Sequence, residues 1–168
     1  SPSARSADLP AYFLDSSALA KRYHPEIGTE IVDQIIQNAG YTIRISRLTM
    51  VEMSSVFAIK VRTQFISRED AAVLLRPLSE DLVSNRNEVF AVGEPEFKIA
   101  ERMIEQYAFN YRLRSLDALQ LGVALSLRRQ SMVDYFVAAD RVLCDVATAE
   151  GFSFIIPEQP VRFWGLAF

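Results

Sequence analysis

Four acidic residues stand where an apolar strand stops or a helix begins. Asp15 directly follows the apolar run Tyr12-Phe13-Leu14 and precedes two hydroxyls, Ser16 and Ser17, and the helical pattern Ala18-Leu19-Ala20. Asp140 follows a second apolar run, Tyr135-Phe136-Val137, through Ala138-Ala139. Glu52 and Asp117 each lie at the start of a segment with helical periodicity. In a parallel sheet all strands end at one edge, and that edge is where open α/β sheets bind ligands. Four carboxylates converging there repel one another unless a cation neutralises them. Hard oxygen ligands without His or Cys suit Mg2+ or Mn2+. The natural chemistry of such a site is phosphoryl or phosphodiester transfer, in which a metal-activated water attacks phosphorus and the ion stabilises the leaving oxygen. Ser16 is placed to hold a ligand water or a phosphate oxygen.

Each of these residues also has a purely structural explanation. Asp15 and Asp140 suit N-cap positions, Asp117 lies in a first helical turn, and acids are stabilising at helix starts. Thr49-x-x-Glu52 fits a capping box, with Glu52 reaching back to the Thr49 amide. Ser16 and Ser17 suit helix-start hydrogen bonding. What tips the balance toward chemistry is that one edge would receive all four acids.

The elements that must position them read as follows. Strands are expected at about Tyr12–Leu14, Tyr41–Ser46, Glu88–Val92, Tyr135–Val137 and Phe152–Ile156. Helices are expected at Ser16–Tyr23, Gly28–Asn38, Thr49–Arg62, Ser67–Asn85 (kinked or broken at Pro77), Glu94–Tyr107, Ser115–Arg129 and Arg141–Glu150. Phe97, Ala100, Ile104 and Ala108 mark a buried face on one helix, and Leu116, Leu119, Val123 and Leu127 mark one on the next. Gly122 and Ala124 would allow another element to approach closely. Strands alternating with helices imply an α/β domain with a mainly parallel sheet of about five strands flanked by helices. A chain of 168 residues with half of them apolar makes one domain with a sizeable core. That domain spans 11–157, with a polar N-terminal tail at 1–10 and an apolar C-terminal tail at 158–168 that carries Phe163, Trp164, Leu166 and Phe168.

Composition removes several alternatives. A net charge of −3 excludes a generic polyanion binder, yet 15 of the 18 basic residues are Arg, whose forked donors suit phosphate and carboxylate. Cys144 and His24 are each alone in the chain, which excludes an internal disulfide, a thiolate cluster and an intrachain His-rich zinc site. His24 precedes Pro25 at a helix end, the position of a solvated turn His. No apolar run reaches about 18 residues, so no membrane span is expected, and no signal-peptide run opens the sequence. A cytoplasmic location is expected.

Four stretches in one order, LDSSALAKRYHPEIGTE, LTMVEMSSVFAIK, RSLDALQLGVAL and YFVAADRVLCDVATAEGF, give the sequence a resemblance to the PIN-domain ribonucleases, especially the VapC-type toxins of prokaryotic toxin–antitoxin pairs. The similarity runs from about Tyr12 to Pro157. It implies a PIN-like (Rossmann-like) three-layer α/β sandwich and a divalent-metal-dependent endoribonuclease using Mg2+ or Mn2+. The family's four acids fall on Asp15, Glu52, Asp117 and Asp140 as catalytic and metal-binding residues, with Ser16 as the hydroxyl neighbour of the first. A cognate antitoxin and a homodimeric assembly are implied as well. Two positions depart from the family pattern. Ala138 stands where a Thr or Ser usually precedes the last acid by two residues, and Gln120 stands where the third motif often has His. The apolar tail is not explained by the resemblance.

Arg114, Arg47 and Arg141 flank the acids and are the candidates for RNA phosphate contacts, with Arg44 and Arg112 as weaker ones; an ion pair with a neighbouring acid is the alternative for each. Tyr23 and Tyr41 suit packing better than base stacking. Two rival functions remain. One is a PIN-like module with weak catalysis that binds RNA or a protein partner, motivated by Ala138. The other is an aspartate-based phosphotransfer domain. Ser17 stands against the latter, because such phosphatases usually carry a second Asp there, as does the lack of any Lys after Lys98.

Overall fold

The computed structural model describes residues 9–83 and 87–159. Among them the chain runs β1 (Ala11–Leu14), α1 (Ser16–Tyr23), α2 (Thr29–Gln37), β2 (Thr42–Ser46), α3 (Leu48–Arg62), α4 (Arg68–Val83), β3 (Asn87–Phe90), α5 (Glu94–Tyr107), α6 (Ser115–Arg129), β4 (Tyr135–Val137), α7 (Arg141–Ala149) and β5 (Ser153–Ile155). The strands form one sheet in the order β3-β2-β1-β4-β5, and every pairing is parallel. All four residues of β1 are buried, as a parallel strand covered on both faces requires. The five strands and seven helices are those expected from the sequence, with ends moved by one or two residues at most elements.

Successive side chains of β1 alternate between the faces. Phe13 stacks on Phe136 at 5.9 Å and joins a core built with α5, α6 and α7. Tyr12 and Leu14 enter a second core with α1, α2, α3 and α4, where Tyr12 stacks on Tyr135 at 5.3 Å and lies 5.0 Å from Tyr41. Tyr23 is also buried, with its hydroxyl donating to Asp81 at 2.7 Å. The entry to β4 is pinned to β1 by Asp134, whose side chain accepts from the Ala11 amide at 2.8 Å while its own amide donates to the Ala11 carbonyl at 2.8 Å.

Several expectations need correction. α4 continues through Pro77 as one helix, so Pro77 does not break it. Proline cannot donate to the carbonyl four residues back, but that residue, Val73, is 58% exposed and water can satisfy it. Ser84 and Asn85, the expected end of this helix, lie outside the described residues, as do residues 1–8 and 160–168 of the two tails. The inward face of α5 is Ile99, Ala100 and Met103, while Phe97 is exposed. Leu116 of α6 is exposed too. A cavity of about 310 Å³ opens along the α5–α6 seam, lined by Phe97, Ala100, Ile104 and Leu119 among others. His24 is half-buried rather than solvated: its ring lies edge-on to Phe57 and Phe65, and its Nδ1 meets the Lys60 ammonium.

α6 is buried along most of its length, and it passes close to α5 at Gly122. A Cβ there would stand 3.0 Å from the Glu96 carbonyl oxygen, a backbone atom that cannot swing aside. Gly122→Val is therefore expected to lower stability by roughly 2 kcal/mol through overpacking, read as a shift of the urea midpoint at unchanged slope. A midpoint equal to that of the unaltered protein would show that the seam yields freely.

Candidate active site

The sheet order reverses between β1 and β4, since β1 leads to β2 on one side while β4 and β5 lie on the other. A crevice forms at such a switch point, outside the carboxyl ends of the strands. Asp15 is the residue after β1, and its backbone amide donates to the carbonyl of Val137, the last residue of β4, at 2.9 Å. Asp140 lies three residues beyond that point and opens α7. The two acids that follow strands are thus placed on either side of the switch point.

Asp15 is 3% exposed. Its Oδ2 accepts from the Ser17 amide at 3.1 Å and from the Ser17 hydroxyl at 2.5 Å. The same hydroxyl oxygen accepts from the Ala139 amide at 3.0 Å, which ties the end of β1 to the segment after β4. The other carboxylate oxygen, Oδ1, is buried and has no hydrogen-bond partner among the described residues. Burial pushes the Asp15 carboxyl up to about 7. The Ser17 hydrogen bonds act against that rise, and the negative charges of Glu52 and Asp117 add to it.

Glu52 is half-buried in the second turn of α3. It makes no capping box with Thr49, the structural alternative considered for it. Its Oε1 accepts instead from Gln120 Nε2 of α6 at 2.6 Å, and the same nitrogen donates to Thr49 Oγ1 at 3.1 Å. The Ser16 side chain adds a favourable interaction with the Glu52 carboxylate. Burial raises the Glu52 carboxyl above its ordinary range, these interactions oppose the rise, and the charge of Asp117 adds to it. Asp117, half-buried in the first turn of α6, is raised by burial and by the charge of Asp140, against the opposing charge of Arg114. Asp140 caps α7, with its Oδ1 accepting from the Leu143 amide at 3.0 Å. Capping and site geometry coexist here, as they do at Asp15.

The four acids therefore form one electrostatic neighbourhood: Asp15 feels Glu52 and Asp117, Glu52 feels Asp117, and Asp117 feels Asp140. Among the described residues no group of three or more His, Cys, Asp or Glu side chains stands in an arrangement that could hold a metal ion as it is. The donor set fits a hard divalent cation in two respects: every candidate is a carboxylate, and the buried Oδ1 of Asp15 lacks any positive or donating partner. Cys144 is fully buried. Burial first, then the charges of Asp15 and Asp140, push its thiol up to about 12, and it donates to the Ala138 carbonyl at 3.6 Å.

The basic candidates separate clearly. Arg44 is buried in β2, donates to Glu88 at 2.9 Å and bonds the Met132 carbonyl, so it serves the fold. Arg114 is 73% exposed and lies 3.9 Å from Asp117. Arg141 pairs with Asp145 at 3.6 Å and reaches Gln159 at 3.4 Å. Arg47 and Arg112 are exposed. Two polar residues of the site were not assigned these roles from sequence. Ser17 had a signal, because a hydroxyl two residues after an Asp commonly closes a local turn. Gln120 also had one, because a position three residues beyond Asp117 shares its helix face.

The PIN-domain family model matches residues 12–149 of the chain. A search of curated proteins finds no match to the sequence. Similar solved structures include PAE2754 from Pyrobaculum aerophilum, at 20% identity and TM-score 0.58, covering 91% of this chain and 94% of that one. FitAcB from Neisseria gonorrhoeae is similar at 16% identity and TM-score 0.58, covering 92% and 99%. VapBC2 from Rickettsia felis, bound to a DNA fragment from its promoter, is similar at 14% identity and TM-score 0.57, covering 86% and 97%. At these identities the likeness is one of fold.

A carboxyl raised in the folded state binds its proton more tightly folded than unfolded, so it favours the fold more as pH falls. For Asp15 the window runs from about 7 down to the ordinary 3.8. In EDTA at about pH 8, Asp15→Asn should therefore be more stable than the unaltered protein by at least about 1 kcal/mol, roughly 3 °C in Tm for a domain of this size. The gain should shrink toward zero on acidification through the window. A difference in Tm that does not change with pH would show that Asp15 carries no unfavourable buried charge.

Proposed function

The chain belongs to the PIN-domain family, and on that premise we propose that it is a divalent-metal-dependent endoribonuclease, the toxin of a type II toxin–antitoxin pair. The observation that carries this reading is the buried Asp15 carboxylate at the switch point, with one oxygen held by Ser17, the other unpartnered among the described residues, the charges of Glu52 and Asp117 acting on it, and that of Asp140 acting on Asp117. PIN domains are generally nucleases, and this arrangement suits hydrolysis of a phosphodiester. Asp15, Glu52, Asp117 and Asp140 would hold one or two ions of Mg2+ or Mn2+. When bound, such an ion supplies Lewis acidity to water and to the leaving oxygen.

The chain's own residues do the rest. Ser17 fixes the rotamer of Asp15 and ties it to the segment after β4. Gln120 holds Glu52, and the hydroxyl of Ser16, beside Asp15, would support a bound ion or a phosphate oxygen. Arg114 is the best placed of the basic residues to meet an RNA phosphate. It is exposed, beside Asp117, and bound there only loosely. Arg47 and Arg141 would add phosphate contacts, which makes RNA binding salt-dependent. The absence of a hydroxyl at Ala138 is met in part by Ser17, whose hydroxyl occupies the same strand-end junction. A cognate antitoxin and a second copy of the chain complete the reading. VapBC2, similar in fold, bears the name of the toxin type that the sequence motifs resemble. No helix among the described residues is long and apolar enough to cross a membrane.

The test is cleavage of a mixed RNA pool by the purified chain, freed of any copurifying protein, in Mn2+, in Mg2+ and in EDTA. Cuts should require the metal. They should fall in Asp15→Asn and in Asp117→Asn by more than the roughly 10- to 100-fold that loss of a ligand's hydrogen-bond partner costs, with the far-UV spectrum unchanged. Cleavage that survives EDTA, or that persists in Asp15→Asn, would overturn the proposal. RNA binding without cleavage at saturating Mn2+ would favour the catalytically weak binding module instead.

A further inference from the structure

Gln120 is fully buried, yet it is polar, and burying an amide without hydrogen bonds is costly. It sits on α6, which packs on one face of the sheet, and it donates across to α3, which packs on the other. Both donations come from Nε2: to Glu52 Oε1 at 2.6 Å and to Thr49 Oγ1 at 3.1 Å. Its own Oε1 is buried and unpartnered among the described residues. The opposite orientation of the amide would turn its oxygen toward the Glu52 carboxylate, which repels it. The amide is thus locked with its donor toward Glu52, at the expense of its acceptor. An apolar side chain of the same length would fill the space without leaving that oxygen unpaired, so packing alone does not explain a Gln here. Thr49, itself fully buried, has its hydroxyl oxygen committed to the amide.

We infer that Gln120, anchored by Thr49, is a positioning residue that sets the orientation of Glu52 for divalent-ion binding. This deepens the nuclease reading and rests on it. Gln120 reaches Glu52 from α6, the helix that also carries Asp117, so it couples the placements of two candidate ligands held by different layers of the fold. A long carboxylate side chain such as Glu52 has three rotatable bonds, and a fixed donor on one oxygen removes most of that freedom. A hydrogen-bond partner of this kind is worth roughly 10- to 100-fold in metal affinity.

The experiment titrates Mn2+ into the folded chain and reads the free ion by electron paramagnetic resonance, which needs no RNA and no turnover. Gln120→Met keeps length and apolar packing and removes the donor. It should weaken Mn2+ binding about 10-fold or more, while Gln120→His, which can still donate, should recover most of the loss. In a Glu52→Gln background the Gln120→Met change should have no further effect. Thr49→Val, which removes the anchor and keeps the shape, should weaken binding in the same direction and carries the test if Gln120→Met does not fold. Mn2+ affinity within twofold of the unaltered protein in folded Gln120→Met, or in Thr49→Val, would overturn the inference and leave the nuclease reading standing. An unaltered protein that binds no Mn2+ would overturn both.

Discussion

A carboxylate at the switch point of the sheet, almost out of contact with water, is the constraint around which this structure is arranged. Removing an ionised carboxyl from water costs several kcal/mol even after the protein relaxes. Asp15 is offered only partial compensation: two hydrogen bonds on one oxygen and none on the other. The charges of Glu52 and Asp117 make the deficit worse. A chain selected for stability alone would place Asn at this position, which caps a helix as well as Asp does. The Asp makes physical sense as one half of an interaction whose other half is a cation. The same deficit explains why Ser17 must sit where it does. Its hydroxyl is both the donor that keeps Asp15 in place and the acceptor for the Ala139 amide, so the two strand ends flanking the crevice are held through one oxygen atom.

The two cores on either side of the sheet explain how such an edge is kept rigid. β1 divides its side chains between them, Phe13 to one and Tyr12 and Leu14 to the other. Whatever fixes β1 therefore fixes Asp15 against both layers at once. Beyond the strand ends there is no sheet to connect the layers, and contact between them passes to side chains. The amide of Gln120 on α6 meets Thr49 and Glu52 on α3 at that place. A buried lysine paired with two partly exposed glutamates acts at a second junction. Lys21 of α1, 1% exposed, donates to Glu158 at 2.6 Å, to Glu26 at 3.2 Å and to the Ile27 carbonyl at 2.9 Å, so the segment after β5 is tied back to α1 and the loop that follows it. Breaking one partner of such a set leaves a charge stranded, which is why these contacts fix geometry more than they add stability.

The sequence was most legible where local and global signals agreed. The apolar runs at Tyr12–Leu14 and Tyr135–Val137 are unambiguous because a doubly covered parallel strand has no polar face to preserve. The helix starts at Glu94 and Ser115 are equally plain, the first marked by Pro95 and acids in its first turn. Legibility failed where a position depends on a neighbour far along the chain. Phe97 and Leu116 fit the periodicity of buried stripes, but periodicity cannot tell whether a stripe faces a filled core or an open seam. Pro77 reads as a breaker, and the exposure of Val73, which leaves its carbonyl open to water, is consistent with its place inside the helix. Thr49-x-x-Glu52 satisfies a capping rule, and the rule is overridden by a Gln 68 residues away that offers Glu52 a better donor. At Asp15 and Asp140 the cap does not exclude a role in the site. Each carboxylate has two oxygens, and at both residues a single oxygen serves the helix.

On the proposed function the site faces a second electrostatic problem, which the basic residues help to settle. RNA brings negative charge toward four carboxylates. At 4 Å and an effective dielectric of about 20, each unit repulsion is of the order of 4 kcal/mol. No plausible set of hydrogen bonds offsets that, so positive charge must be in place before the phosphate arrives. Arg114 is suited to part of this role because it is poorly committed. Its pair with Asp117 spans 3.9 Å with the guanidinium 73% exposed, and a pair of that kind is worth ~1 kcal/mol or less. Arg44 offers the contrast: buried, paired with Glu88 and bound to the Met132 carbonyl, it could leave only by stranding its partners. Two arginines of the same formal charge thus differ in whether that charge can be lent to a substrate. On the proposed function, an acidic chain with a loosely held Arg beside Asp117 would meet a polyanion at this edge rather than over its whole surface.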